Sequence, residues 1–225
     1  MQETKFEDAL ITALGHDGFL VEFPEEQLTI VFDPFEIQVD RKADYVFISH
    51  PHFDHCHPES IRALMADETK IIAPTSCQKE LADFGNKVEW YEGTNKVQLE
   101  KFTYWAIPAY NINKFRTPTE VFHPKELGGV GFLVEVKSTR LYHAGDTDLT
   151  PEMETLKKID VAFLPISGTY VMTVEEAVKA AELIAPKLAI PMHFGKVLGS
   201  VTDAHRFQSL LKDRVPVAVL TTDHP

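Results

Sequence analysis

The feature that most constrains this chain is the run Tyr45-Val46-Phe47-Ile48-Ser49, which leads directly into His50-Pro51-His52-Phe53-Asp54-His55. A short apolar run reads as a buried strand. Pro58-Glu59-Ser60 then opens a helix with proline in its first turn. The polar cluster therefore occupies a strand-to-helix turn at the rim of a sheet, where side chains from several loops converge. His50 and His52 are two residues apart, so on extended backbone both imidazoles point the same way and can bind one ion. Asp54 and His55, just beyond, suit a second ion such as zinc or manganese.

Around that turn, short apolar runs alternate with turn signals. Residues 9–14, 19–23 and 28–32 read as an antiparallel meander, punctuated by His16-Asp17-Gly18 and Asp33-Pro34. From residue 43 strands alternate with helices: 45–49 with a helix from Pro58 through Met65, 71–73 with a helix over 76–84, then a strand at 88–91. Paired strands are expected around 97–99 and 102–107. Residues 109–128 lack clear periodicity, and so long a loop inside a compact domain is usually a lid or a binding loop. The second half repeats the style, with strands at 130–136, 140–144, 161–164 and 188–191 and helices from Pro151, over 173–184 and over 202–211. Ala177, Ala180, Ala181 and Ile184 recur at helical spacing, the face of a helix packed on a sheet. This pattern predicts a single domain over residues 1–225, of α/β (α+β) class, with two sheets face to face between helical layers.

Composition narrows the function. The net charge of -12, spread along the chain, disfavours a protein that grips nucleic-acid backbones. A metal site can still reverse the local potential and admit a small anionic substrate. The expected partner is a small molecule rather than nucleic acid or membrane, and a homo-oligomer is left open. Cys56 and Cys77 lie in unrelated sequence surroundings, and Met1 to Asp8 is polar with both signs of charge. The apolar stretches are strand-length, so the expectation is a cytoplasmic protein without a membrane span.

The pattern His50-x-His52-x-Asp54-His55 resembles the signature of the metallo-β-lactamase superfamily, whose fold is a four-layer αββα sandwich. Other stretches match in order along most of the chain. Gly15-His16-Asp17-Gly18-Phe19-Leu20-Val21-Glu22 and Phe32-Asp33-Pro34 resemble the opening strands of the branch that includes L-ascorbate-6-phosphate lactonase. Tyr142-His143-Ala144-Gly145-Asp146-Thr147 resembles the segment whose aspartate bridges two metals. Ile190-Pro191-Met192-His193 resembles the strand end that supplies the last histidine. The resemblance implies two divalent ions, zinc before manganese, with His50 and His52 on the first, Asp54, His55 and His193 on the second, and Asp146 bridging them. It also implies that a water between the ions is the nucleophile, its pKa lowered toward neutrality, and that Asp54 orients it.

One departure stands out. The family usually supplies a third histidine to the first metal from a loop after the middle strands, where this chain has Pro108-Ala109-Tyr110-Asn111. The nearest candidate is His123, read either as that ligand or as a loop or substrate-contacting histidine. Without it, the first metal would have two histidines and the bridge, and weak or single-metal occupancy would follow. Asp33 reads as a partner of a metal-binding histidine or as a turn cap, and His16 as a site contact or a turn residue. His143 is expected to act from behind the ligands, and Cys56 and His57 to belong to the helix start. Backbone amides of Ser167-Gly168-Thr169-Tyr170 and the Tyr170 hydroxyl are expected either to meet an anion at a helix start or to form a connecting turn.

These readings predict a metal-dependent hydrolase that cleaves an ester, lactone or phosphate-ester bond in a small polar substrate. Two alternatives are a phosphodiesterase or nuclease, which the charge disfavours, and a metal-binding regulatory protein without turnover. A redox di-iron role would replace the second histidine of the motif by a carboxylate, and His52 speaks against it.

Overall fold

The computed structural model describes residues 1–93 and 95–222, which form two compact units: residues 1–93 with 220–222, and residues 95–219. Among the described residues no helix is long and apolar enough to cross a membrane.

In the first unit β1 (Glu3–Phe6), β2 (Ala9–Gly15), β3 (Gly18–Phe23), β4 (Leu28–Phe32), β5 (Tyr45–Phe47), β6 (Lys70–Pro74) and β7 (Val88–Tyr91) stand in chain order in one seven-stranded sheet. Strands β1 to β4 pair antiparallel, as the expected meander requires, and β4 to β7 pair parallel. Strand β1 carries no sequence signal, because Glu3-Thr4-Lys5-Phe6 is a polar edge strand without an apolar face. In β2, Ala9, Ile11 and Ala13 are buried while Leu10 and Thr12 are half-buried, the period-two pattern of a sheet with one packed face. Strand β5 lies inside the sheet between parallel neighbours, and Val46 and Phe47, which alternate between its two faces, are both fully buried. Burial of that kind contributes about 1.5–3 kcal/mol per large apolar side chain, which is why so short a strand persists.

Helix α1 (Pro58–Leu64) follows the turn, and Ile61 and Leu64 pack with Val46, Ile48 and Ile71. Its N-cap is His57, whose Nδ1 accepts the Ser60 N–H. Cys56 and Cys77, which the sequence places in unrelated surroundings, share this core. Their thiols hydrogen-bond, and that bond together with burial pushes the Cys77 thiol well above the ordinary range. The helix expected over residues 76–84 is instead a pair of 3-10 turns, Thr75–Cys77 and Ala82–Lys87, the second interrupted at Gly85 by a φ of 55°.

The second unit holds β8 (Val97–Gln98), β9 (Thr103–Pro108), β10 (Phe115–Thr117), β11 (Glu120–Val121), β12 (Val130–Val136), β13 (Thr139–His143), β14 (Val161–Pro165) and β15 (Leu188–Met192). Six of these form a sheet in the order β15-β14-β13-β12-β9-β8. Strand β14 runs parallel to both neighbours, and all five of its residues are buried. Gly131 lets β12 approach the end of β13: a Cβ there would lie 2.7 Å from the Ala144 carbonyl oxygen, just before the turn that carries Asp146.

Helix α2 (Val174–Ile184) buries the predicted face of Ala177, Ala180, Ala181 and Ile184 and opens with a capping box between Thr173 and Glu176. Helix α3 (Val201–Leu211) opens with a second box between Ser200 and Asp203. The helix expected from Pro151 is a 3-10 turn, Pro151–Thr155. Residues 109–128 are not structureless. Strands β10 and β11 form a hairpin inside this segment, and bonds from Ala109 N to Gly129 O, Asn111 N to His123 O and Phe122 N to Lys114 O close its two sides.

Candidate metal centre

The predicted ligands fall into two clusters, one in each unit. The first is carried by the turn that follows β5. There the backbone closes on itself, with His55 N and Cys56 N both donating to His52 O. The His50 and His52 rings meet although residues 50–52 lie in bends rather than on the extended backbone that the two-residue spacing presumed, with His50 Nε2 3.0 Å from His52 Nδ1 and the His50 and His55 ring centroids 4.1 Å apart.

The far sides of these rings are fixed by Asp33, at the end of β4. Its Oδ1 accepts the Ser49 N–H at 2.7 Å, and its Oδ2 pairs with the Ser49 hydroxyl at 2.5 Å and with His55 Nδ1 at 2.9 Å. The Ser49 hydroxyl in turn contacts His50 Nδ1 at 2.9 Å. One buried carboxylate thus sets the orientation of two imidazoles, His55 directly and His50 through Ser49, so that both turn Nε2 away from it. Of the two roles open to Asp33 in the sequence, this is the positioning one.

His16 and Asp17 form the tip of the β2–β3 hairpin, and both are buried. His16 Nε2 lies 3.1 Å from Asp54 Oδ2, while its backbone adopts a φ of 54°. It is both a turn residue and a contact of the cluster. Asp17 Oδ2 lies 3.4 Å from His55 Nε2, and Asp54 Oδ1 lies 4.0 Å from the same nitrogen. Sequence reasoning passed over Asp17; the available signal was a His-Asp pair at a hairpin tip, where such residues ordinarily face water.

The second cluster centres on Asp146, in the turn after β13. Its Oδ2 lies 3.3 Å from His123 Nε2 and 3.3 Å from His193 Nε2. Each ring is held from its other nitrogen. His123 Nδ1 meets Asn111 Oδ1 at 3.0 Å and Tyr170 O at 3.2 Å, and His193 Nδ1 meets the Ser167 hydroxyl at 2.7 Å. Asn111 Oδ1 also accepts the His123 backbone N–H at 2.8 Å. The segment that lacks a histidine in sequence is therefore the one that grips His123.

That loop is locked by a buried charge network. Lys114 Nζ lies 3.1 Å from Asp148 Oδ1 and 2.7 Å from Glu176 Oε2, and Asp148 Oδ2 accepts the N–H groups of Ile112 and Asn113 at 2.7 and 2.9 Å. Burial opposes ionisation of Glu176, but the Lys114 ammonium, the Asn113 amide and the Thr173 N–H outweigh it and hold the carboxyl at about 2. The expectation of a lid is met by a pinned excursion.

The remaining predicted residues fall outside these clusters. His57 caps α1, Cys56 packs in the core, and His143 is buried with its ring 5.9 Å from that of Phe163. The stretch 167–170 does not open a helix, since α2 is capped by Thr173; Ser167 serves His193, and the Tyr170 carbonyl accepts from Asn111 Nδ2.

The donor set fits divalent cations. Two ligands about 2.1 Å from one ion at a tetrahedral angle lie about 3.4 Å apart. The separations of 3.3 Å around Asp146 Oδ2 match that spacing, between nitrogens whose opposite faces are already committed to oxygen partners.

A family model described as a beta-lactamase superfamily domain matches residues 10–193, a stretch that includes every predicted ligand. A relative from Carboxydothermus hydrogenoformans, named UPF0173 metal-dependent hydrolase, is 35% identical in an alignment 211 residues long that covers 88% of this chain and 90% of its own. The crystal structure of a metal-dependent hydrolase from Parabacteroides distasonis is similar, with a TM-score of 0.84 and 31% identity over 98% of this chain and 99% of that one. Igni18, a metallo hydrolase from Ignicoccus hospitalis, is alike in fold, with a TM-score of 0.75 at 23% identity over 94% of each chain.

Proposed function

Since the chain belongs to the β-lactamase superfamily, and within it to the UPF0173 metal-dependent hydrolase family, we propose that it hydrolyses an ester, lactone or phosphate-ester bond in a small polar substrate, using two zinc-type divalent ions. Its fold is the mixed α/β metallo-β-lactamase fold. By the motif resemblance, His50 and His52 with His123 would hold one ion, Asp54, His55 and His193 would hold the other, and Asp146 would serve both.

The observation that carries the reading is the position of Asp146 Oδ2 at 3.3 Å from Nε2 of both His123 and His193. A single carboxylate oxygen set between two imidazole nitrogens is what a bridging ligand requires. When bound, the ions supply Lewis-acid activation of water near neutral pH.

The chain's own contribution is orientation. Asp33 and Ser49 fix the rings of His55 and His50, Asn111 and Ser167 those of His123 and His193, and His16 steadies Asp54, which would orient the attacking water.

The resemblance of residues 15–22 and 32–34 to the lactonase branch favours a carboxylic or cyclic ester. The net charge of -12 disfavours nucleic acid as substrate. The test is metal analysis of the purified protein, followed by turnover of aryl esters, lactones and phosphodiesters before and after chelation. Two ions per chain, with hydrolysis lost on chelation and restored by zinc, is the expected result. A folded, metal-loaded protein inert across that panel would replace the hydrolase with a metal-binding regulatory role.

A further inference from the structure

We infer that Asp17 is a further metal ligand, a carboxylate delivered by the β2–β3 hairpin beside His55. This rests on the two-metal reading above and adds to it a residue which that reading does not contain.

Gly15 pairs with Gly18, so His16 and Asp17 are the two residues of a tight hairpin loop. Loop tips ordinarily place polar side chains in water. Here both are turned inward, His16 at 4% exposure and Asp17 at 0%. A carboxylate taken fully out of water is costly unless something compensates its charge. His16 holds its left-handed backbone, a conformation better suited to glycine, while its ring contacts Asp54.

The chemistry facing Asp17 is specific. His55 Nδ1 is committed to Asp33 Oδ2 at 2.9 Å, so in the neutral tautomer that donates to Asp33 the lone pair is on Nε2. Asp17 Oδ2 faces that lone pair at 3.4 Å. A carboxylate oxygen and an imidazole nitrogen that face one point are joined by a proton or by a metal cation between them, and the cation makes the contact coordination. The separation is that of two ligands about 2.1 Å from one ion at a tetrahedral angle.

An added carboxylate makes the donor set harder and more negative, which favours retention of Mn²⁺ alongside Zn²⁺. Asp17 would thus tune which metal the site keeps, in contrast to Asp33, which touches Nδ1 and acts by positioning.

The test is Asp17→Asn, which keeps size and turn geometry but removes the anionic oxygen. Apo full-length wild type and variant are titrated with Mn²⁺ and Zn²⁺, and thermal midpoints are recorded with and without metal. The expected result is a loss of about tenfold or more in Mn²⁺ affinity and a smaller loss for Zn²⁺. The metal-induced rise in Tm, taken from each protein's own apo value, should shrink in the variant. A folded variant with wild-type affinities and an undiminished rise overturns the inference and leaves the two-metal reading standing. Wild-type protein that binds neither ion defeats that reading, and this inference with it. If the variant does not fold, anomalous density from Mn²⁺-loaded wild-type crystals decides. An Asp17 oxygen about 2.0–2.3 Å from an ion supports the assignment, and one beyond about 3 Å overturns it.

Discussion

In the first unit four candidate ligands lie within the six residues from His50 to His55, whereas in the second His123, Asp146 and His193 stand 23 and 47 residues apart. The first cluster needs one turn at the end of β5, closed by bonds to His52 O, so bringing its donors together costs little chain entropy. The second needs the parallel register of β13, β14 and β15, the close approach at Gly131 and a loop pinned by Lys114. Both end in the same local device, an imidazole gripped at Nδ1. The supports differ in economy: Asp33 serves two rings, while Asn111 and Ser167 serve one each. A local cluster concentrates its vulnerability in one supporting residue; a dispersed one spreads it over several.

Substitutions can break that contrast, beginning with the largest effect. Asp146→Ala removes the carboxylate shared by His123 and His193 and should lose at least one ion and turnover on the order of 10³-fold or more, with circular dichroism unchanged. Wild-type metal content in that variant would sink the bridging role.

Next, Asp33→Ala should lower metal affinity by about 100-fold and Ser167→Ala by about tenfold, because the first frees two rings and the second one. Equal losses by calorimetric titration would remove the asymmetry between the clusters.

The loop network gives a pH signature. Glu176 is held at about 2 against an ordinary value of 4.5, so its ionisation favours the folded state above pH 4.5 and that contribution is lost as pH falls from 4.5 through 2. Denaturant midpoints of Glu176→Gln should be lower than wild type at pH 6 and converge with it toward pH 2.

The smallest effect belongs to His57→Ala. It removes the side-chain cap of α1, costing about 1 kcal/mol or less of stability in a melt, and leaves metal affinity as it was.

The readability of these features follows from range. The run into His50, the meander and the α2 face were legible because each is set by neighbours within a few residues. Strand β1 and the 3-10 turns were not, since a polar edge and a glycine break leave no apolar period to detect. The shared core of Cys56 and Cys77 depends on where β6 lays the second residue relative to the turn, which spacing alone does not encode.

The sequence by itself determined the donors. Residue types and two-residue spacing after a buried strand are local facts, and they name the side chains that could hold a metal. Tertiary structure alone decided which donors are held and by what. Twelve residues separate Asn111 from His123, yet a backbone pair and one amide oxygen bring them together. A hairpin that buries Asp17 at its tip turns an ordinary surface residue into a candidate ligand. Both depend on the burial and hydrogen bonding of segments distant in sequence, so they exist only once the sheets have formed.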